Sequence, residues 1–312
     1  MESSDSTGSR SAERRVAISG ASGWLASHLI PQLEADGWRV ARLVRPGGDS
    51  GPGDVCWDLE ADTIDRDALE GVDAVIHLAG ENVAGRRWNE AHKRKVLQSR
   101  ETGTRLLCGA LALLKRPPQV LVSASAIGWY GDRGDLVLDE SSARGTGFLS
   151  DVCAAWEAAT TPASEAGIRV VHARVGVVLG RDGGPLGQAL SVFQMAMGGR
   201  FGDGRQYMSW IALPDVAAAL RHCMVTERLR GPVNLTAPEP VTNAEFTRAL
   251  AAAVRRPALL HVPAFALRAL LGREMADELL LSSARVRPAK LLDSGFDFAH
   301  PEIRDALEAV IR

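Results

Sequence analysis

From Arg15 onward, short runs of aliphatic and β-branched residues alternate with stretches of helical periodicity. RRVAIS predicts a strand, the segment around ASHLIPQLEADG a helix, and WRVARLVR a second strand. VCWDL comes after a Gly/Pro/Asp-rich loop, and DAVIHLAG has the unbroken apolar centre of a strand covered on both faces. A long helix is predicted over roughly 88–115, then the strand QVLVSAS, a helix opening at GFL, and the strand IRVVHARVGVVL. Such repetition predicts an α/β fold: a Rossmann-type, doubly wound parallel sheet with right-handed crossovers. Beyond Gly180 the pattern changes. Glycine loops (RDGGPLG, MGGRFGDGRQ) flank one helix, and Pro238, Pro240, Pro257 and Pro263 punctuate the C-terminal part of the chain. The expected organisation is a disordered tail at 1–14, a nucleotide-binding domain at 15–180, and a smaller, mostly helical C-terminal substrate lobe at 181–312. Segments around 213–235 are expected to return to the first domain.

The composition, 46% hydrophobic and 24% charged over 312 residues, suffices for a core without disulfide or metal staples. A formal charge of −2 argues against nucleic acid or an anionic membrane as partner. Cys56, Cys108, Cys153 and Cys223 lie far apart with no zinc spacing, so no metal site is expected, and unpaired cysteines suit a reducing, cytoplasmic setting. The longest apolar run is too short to span a bilayer. The expected partner is a small-molecule substrate; the oligomeric state has no signature in the sequence.

The first strand runs straight into Gly20-Ala21-Ser22-Gly23-Trp24-Leu25-Ala26, and a helix comes next. In G-x-x-G-x-x-A spacing the first glycine permits the tight turn and the second lets the backbone approach a pyrophosphate. The small third residue brings helix and strand together, leaving the phosphate at the helix N-terminus. At the end of the second strand, an NAD site wants a carboxylate and an NADP site an arginine. Arg42 and Arg45 stand there, with no acid before Asp49, so the expected cofactor is NADP with Arg45 on its 2′-phosphate.

With HLAGENVAGRRW (77–88), SASAIGWYGD, GTGFLSDVCAAWE (145–157), RVGVVLG, GDGRQYMSWI and LLGREMA added to that turn, the chain resembles the extended short-chain dehydrogenase/reductases. Within them it is similar to an atypical, epimerase-family (sugar-epimerase-like) branch, over essentially all of 15–312. The resemblance implies that Leu78, Ala79 and Gly80 pass beneath the cofactor ribose, that Asp58 stands where the adenine amino group is bonded, and that Arg100 reaches a phosphate or ribose. It also places Arg174 and Val177 on the strand-end stretch that approaches the nicotinamide.

That family's proton chemistry needs a phenol whose pKa is lowered by a lysine, with a serine orienting the substrate oxygen. Ser125 is the serine candidate, Ser123 its alternative. Counting back from Glu157 puts Leu149 at the tyrosine place and Cys153 at the lysine place, and neither does that work. Glu81, directly after the LAG strand end, and Tyr130 in GWYGD are the replacement acid/base candidates; His77 reads as a satisfied core residue. In GRQYMSWI, Arg205, Tyr207 and Trp210 form a candidate substrate wall, with Arg205 suited to an anionic group. Ala212 stands where the family commonly has a histidine. The expected activity is that of an NADP-dependent oxidoreductase or epimerase acting on a small carbonyl or hydroxyl compound. The competing readings are a non-catalytic NADP-binding redox sensor and a non-redox cyclase or lyase.

Overall fold

A computed structural model describes residues 14–311. The expected N-terminal tail lies outside the described residues but for Arg14. In chain order the first half contains β1 (Arg15–Ser19), α1 (Trp24–Ala35), β2 (Arg39–Val44), β3 (Val55–Asp58), β4 (Thr63–Ile64) and α2 (Arg66–Leu69). Then come β5 (Ala74–His77), α3 (Glu90–Ala112), β6 (Val120–Ala126), a 3₁₀ turn (Ile127–Tyr130), β7 (Val137–Leu138), α4 (Phe148–Ala158), α5 (Thr161–Glu165) and β8 (Arg169–Val175). The second half holds β9 (Val177–Leu179), α6 (Gly184–Gln194), β10 (Gly199–Phe201), β11 (Tyr207–Met208), β12 (Trp210–Ala212), α7 (Leu213–Val225) and β13 (Gly231–Leu235). It ends with β14 (Val241–Thr242), α8 (Asn243–Val254), β15 (Leu260–Val262), α9 (Ala264–Leu271), α10 (Arg273–Ala276), a π-helical turn (Asp277–Leu281), β16 (Arg285–Val286), α11 (Ala289–Asp293) and α12 (Ile303–Ile311).

One large sheet dominates, in the order β13-β8-β6-β5-β1-β2-β3-β4, parallel throughout except for the antiparallel edge pair β3–β4. Chain direction across the sheet reverses between β1 and β5, and such switch points hold ligands beyond the C-terminal ends of the strands. The central strands β1, β5, β6 and β8 bury both faces. Val16, Ile18, Ile76 and Val122 pack with Leu29 and Leu33 of α1, Val216 and Leu220 of α7, and Leu291 of α11. Ala17, Val75 and Leu121 pack on the other side with Leu69 of α2, Leu107 and Leu111 of α3, and Ala163 of α5. The unbroken apolar runs of these strands result from that double coverage.

The run predicted as one strand over 168–179 is two. Gly176 breaks it, because a Cβ there would lie 2.8 Å from the Ser209 carbonyl oxygen. β8 stays in the large sheet, while β9 leaves it to pair with β12. A separate core forms from Leu186, Leu190 and Phe193 of α6, Leu250 of α8, Leu307 of α12 and Trp210. Thr242 and Glu245 close a full capping box at the start of α8. Besides α7 and β13, α11 returns to the large sheet, and β16 pairs with β7, so the later chain is threaded through both groups of elements. Among the described residues, no helix is long and apolar enough to cross a membrane.

Candidate functional site

The turn after β1 is built for close backbone approach. Gly20 has φ +69°, and a Cβ on it would lie 2.9 Å from Ala79 N, so the turn presses directly on the Leu78–Ala79 loop beyond β5. Gly23 starts α1 with no side-chain cap, which leaves first-turn amides for an anion. The loop itself is pinned from below. Ser19 Oγ accepts from Leu78 N (3.1 Å) and Ala79 N (3.2 Å), which commits its hydrogen to His77 Nδ1 at 2.6 Å. His77 Nε2 then donates to Thr104 Oγ1 at 2.9 Å, which sets the tautomer. Burial, with the Arg100 charge adding to it, pushes the His77 pKa down to about 4. The folded state therefore binds fewer protons than the unfolded one, and this stability is complete above the ordinary pKa near 6.5 and is lost as pH falls toward 4. ¹⁵N NMR is expected to show His77 neutral and Nε2-protonated at pH 6, with charging beginning only as pH nears 4; an imidazolium signal at pH 6 would contradict it.

At the end of β2, Arg45 is exposed, whereas Arg42 is bound to Asp54 at 2.6 Å and is not free for a phosphate. Asp58 Oδ1 accepts from Glu60 N and Ala61 N, which closes its own turn. Arg100 runs behind Gly80, whose Cβ would lie 3.1 Å from its Cζ. It donates to the Glu81 carbonyl (2.9 Å) and stacks over Trp156, so it braces the loop from behind. Glu81 is half-buried, its amide on Ser99 Oγ. The Trp24 indole packs on the backbones of Gly180, Gly183 and Gly184, and its Nε1 is buried with no protein partner. The glycine turn, uncapped helix and pinned loop fit a dinucleotide pyrophosphate and ribose.

Ser125 stands one residue before the end of β6, 3% exposed, and donates to Glu157 Oε1 at 2.7 Å. Glu157 also holds Arg174 in a two-pronged pair, at 2.8 Å from Nε and 2.9 Å from Nη2. Burial opposes charge on Arg174, but the Glu157 bonds and charge outweigh it and raise its pKa. Arg174 stacks on Trp129 at 3.9 Å and donates to Tyr130 Oη, which itself donates to Asn234 Oδ1 at 2.7 Å. One expectation changes here: Tyr130 is fully buried, with its phenol pushed up to about 12 by burial, while Arg174 stands buried and paired near the end of β8. Val177 begins β9 and packs with the second core. The missing pair is equally plain in space: Leu149 lies against Gly128, and the buried Cys153 thiol donates to the Ala126 carbonyl, its pKa pushed up to about 11.

Glu157 escaped the sequence reading as a functional residue. Its one signal was position, a helical turn beyond Cys153 on the same face of α4. Glu278 had no signal at all. From the π-helical turn it reaches α4 and accepts from Phe148 N and Leu149 N, both at 2.8 Å. Gly147 (φ +108°) makes the room, since a Cβ there would lie 2.9 Å from that carboxylate. Arg205 and Tyr207 share a cavity of about 260 Å³ with Gly134, Asp135, Asp203, Gln206 and Ser283. Trp210 does not join them; it is fully buried in the second core, its Nε1 on the Glu239 carbonyl.

Residues 16–235 match the NAD dependent epimerase/dehydratase family, and residues 262–310 match a domain of unknown function, DUF1731. An epimerase family protein of Mycobacterium leprae is 45% identical over 292 residues, 94% of each chain. The crystal structure of human epimerase family protein SDR39U1 with NADPH superimposes with a TM-score of 0.88 at 34% identity, covering 95% of this chain and 99% of that one. A nucleoside-diphosphate sugar epimerase from Corynebacterium glutamicum gives a TM-score of 0.80 at 35% identity, over 96% of this chain and 58% of that one.

Proposed function

The chain belongs to the NAD dependent epimerase/dehydratase family, and from that membership we propose an NADP(H)-dependent oxidoreductase or epimerase-like enzyme acting on a small carbonyl or hydroxyl compound. The observation that carries the cofactor part is the glycine turn pressed against Leu78–Ala79 beside an uncapped helix start. Gly20, Ala21, Ser22, Gly23 and Leu25 hold the pyrophosphate, Leu78, Ala79 and Gly80 lie under the ribose, and exposed Arg45 takes the 2′-phosphate. The NADPH in the human relative's structure supports the same choice. When bound, the nicotinamide supplies or takes up a hydride at the substrate carbon. Ser125 orients the substrate oxygen, Glu81 is the candidate acid/base in place of the missing phenol, and Arg205 and Tyr207 form part of the substrate wall.

Fluorescence titration tests the cofactor. Arg45→Ala is expected to weaken NADPH about tenfold to a hundredfold, the worth of a charge-assisted phosphate contact, and to leave NADH nearly unchanged. Equal losses for both nucleotides would remove the NADP assignment. Leu149 and Cys153 favour a second reading, a nucleotide-binding protein without turnover. Tight NADPH binding with no oxidation across a broad carbonyl panel would select it.

A further inference from the structure

We propose that Glu157 fixes the polarity of Ser125, so that the site takes its substrate as a hydrogen-bond donor: a secondary alcohol or other hydroxyl compound, in preference to the matching ketone. This rests on the reading of Ser125 as the residue that meets the substrate oxygen.

The polarity comes from counting hydrogens. A hydroxyl has one hydrogen and two lone pairs. Arg174 meets both oxygens of Glu157 through Nε and Nη2, and a carboxylate held by a guanidinium fork is ionised and only accepts. The 2.7 Å contact between Ser125 Oγ and Oε1 therefore consumes the serine's single hydrogen. The neighbouring groups do not change this. The Cys153 thiol spends its hydrogen on the Ala126 carbonyl. On the far side of Glu157, Thr160 Oγ1 donates to the Glu157 carbonyl at 2.7 Å, so it receives from His172 Nε2 at 2.9 Å. His172 Nδ1 is then a bare lone pair, 3.6 Å from Oε2, and offers the carboxylate no proton. Ser125 is left with lone pairs alone for any further partner.

A hydroxyl donates into those lone pairs, whereas a carbonyl oxygen offers only lone pairs of its own. To bond a ketone, Ser125 must give up a charge-assisted bond inside a buried network. The bias is one of ground-state binding. The overall equilibrium constant fixes the ratio of the two kcat/KM values, so the bias is read in dissociation constants.

Neutron diffraction on deuterium-exchanged crystals tests the polarity directly, with no substrate needed. The expected result is deuterium on Ser125 Oγ directed at Glu157 Oε1; deuterium directed away from Glu157 overturns the proposal. Ligand-detected NMR with matched pairs (cyclohexanol and cyclohexanone, 1-phenylethanol and acetophenone) then tests the consequence on protein loaded with NADP⁺ or NADPH. Alcohols are expected to bind about tenfold tighter than their ketones, the worth of about one hydrogen bond. Ser125→Ala is expected to bring the ratio near one, while Glu157→Gln, whose carbonyl oxygen still accepts from Ser125, keeps it. Ketones binding as well as alcohols, or an unchanged ratio in Ser125→Ala, overturns the substrate class. Absence of turnover with any alcohol counts against the oxidoreductase reading, and the deuterium position still decides the polarity.

Discussion

Gly20→Val is expected to reduce NADPH affinity by more than a hundredfold, measured by fluorescence titration. Two costs combine at this position. A β-branched residue at φ +69° is strained by about 1–2 kcal/mol. The added side chain must also displace Ala79 N and the Leu78 carbonyl group, which stand about 3 Å from where its Cβ would be. Moving that loop pulls two amides off Ser19 and spoils the floor under the ribose together with the phosphate turn. Gly37→Val is the control. Gly37 has a comparable φ of +79° but nothing within 4 Å of its Cβ position, so it bears the backbone strain alone. The control is expected to lose stability and keep NADPH; equal loss of binding in both variants would refute this account of the turn.

Glu157→Ala is expected to destabilise the fold by about 3–5 kcal/mol, because it leaves the Arg174 guanidinium buried and unpaired. The two side chains are 3% and 9% exposed, so water does not replace the lost partner. Arg174 cannot swing out, since it lies between Trp129 and the Tyr130 hydroxyl. Urea unfolding of Glu157→Ala beside Glu157→Gln measures the effect, and a loss below about 1 kcal/mol for alanine would show the pair to be marginal. Exposed pairs such as Arg105–Glu101 are worth well under that by comparison.

Legibility in the sequence tracked the range of the interaction. The strand–helix alternation and the glycine turn are local patterns, and each is found where its residues predict it. The network under the site is not local. Ser125 and Glu157 are 32 residues apart, and Tyr130 and Asn234 are 104 apart. Composition alone does not tell a tyrosine aimed at a cleft from one tied into a core. Trp210 misled for the same reason: flanked by polar residues and glycine loops it reads as a wall, but its strand turns it inward against α6 and α8. The sequence put Arg45, not Arg42, on the phosphate, but what occupies Arg42, Asp54 from a loop beyond it, is a contact only the fold makes.

The carboxylate that Glu278 lends to the start of α4 also bears on the order of assembly. Every strand of the large sheet has left the ribosome once Leu235 has emerged, yet the first turn of α4 still lacks the acceptor for two of its amides. That acceptor is synthesised 43 residues after the sheet is complete, counting from Leu235 to Glu278. The helix beside the candidate site is therefore finished by a segment made after the sheet, and a nascent chain stalled between those points carries a nucleotide cradle beside an α4 whose first turn is still open.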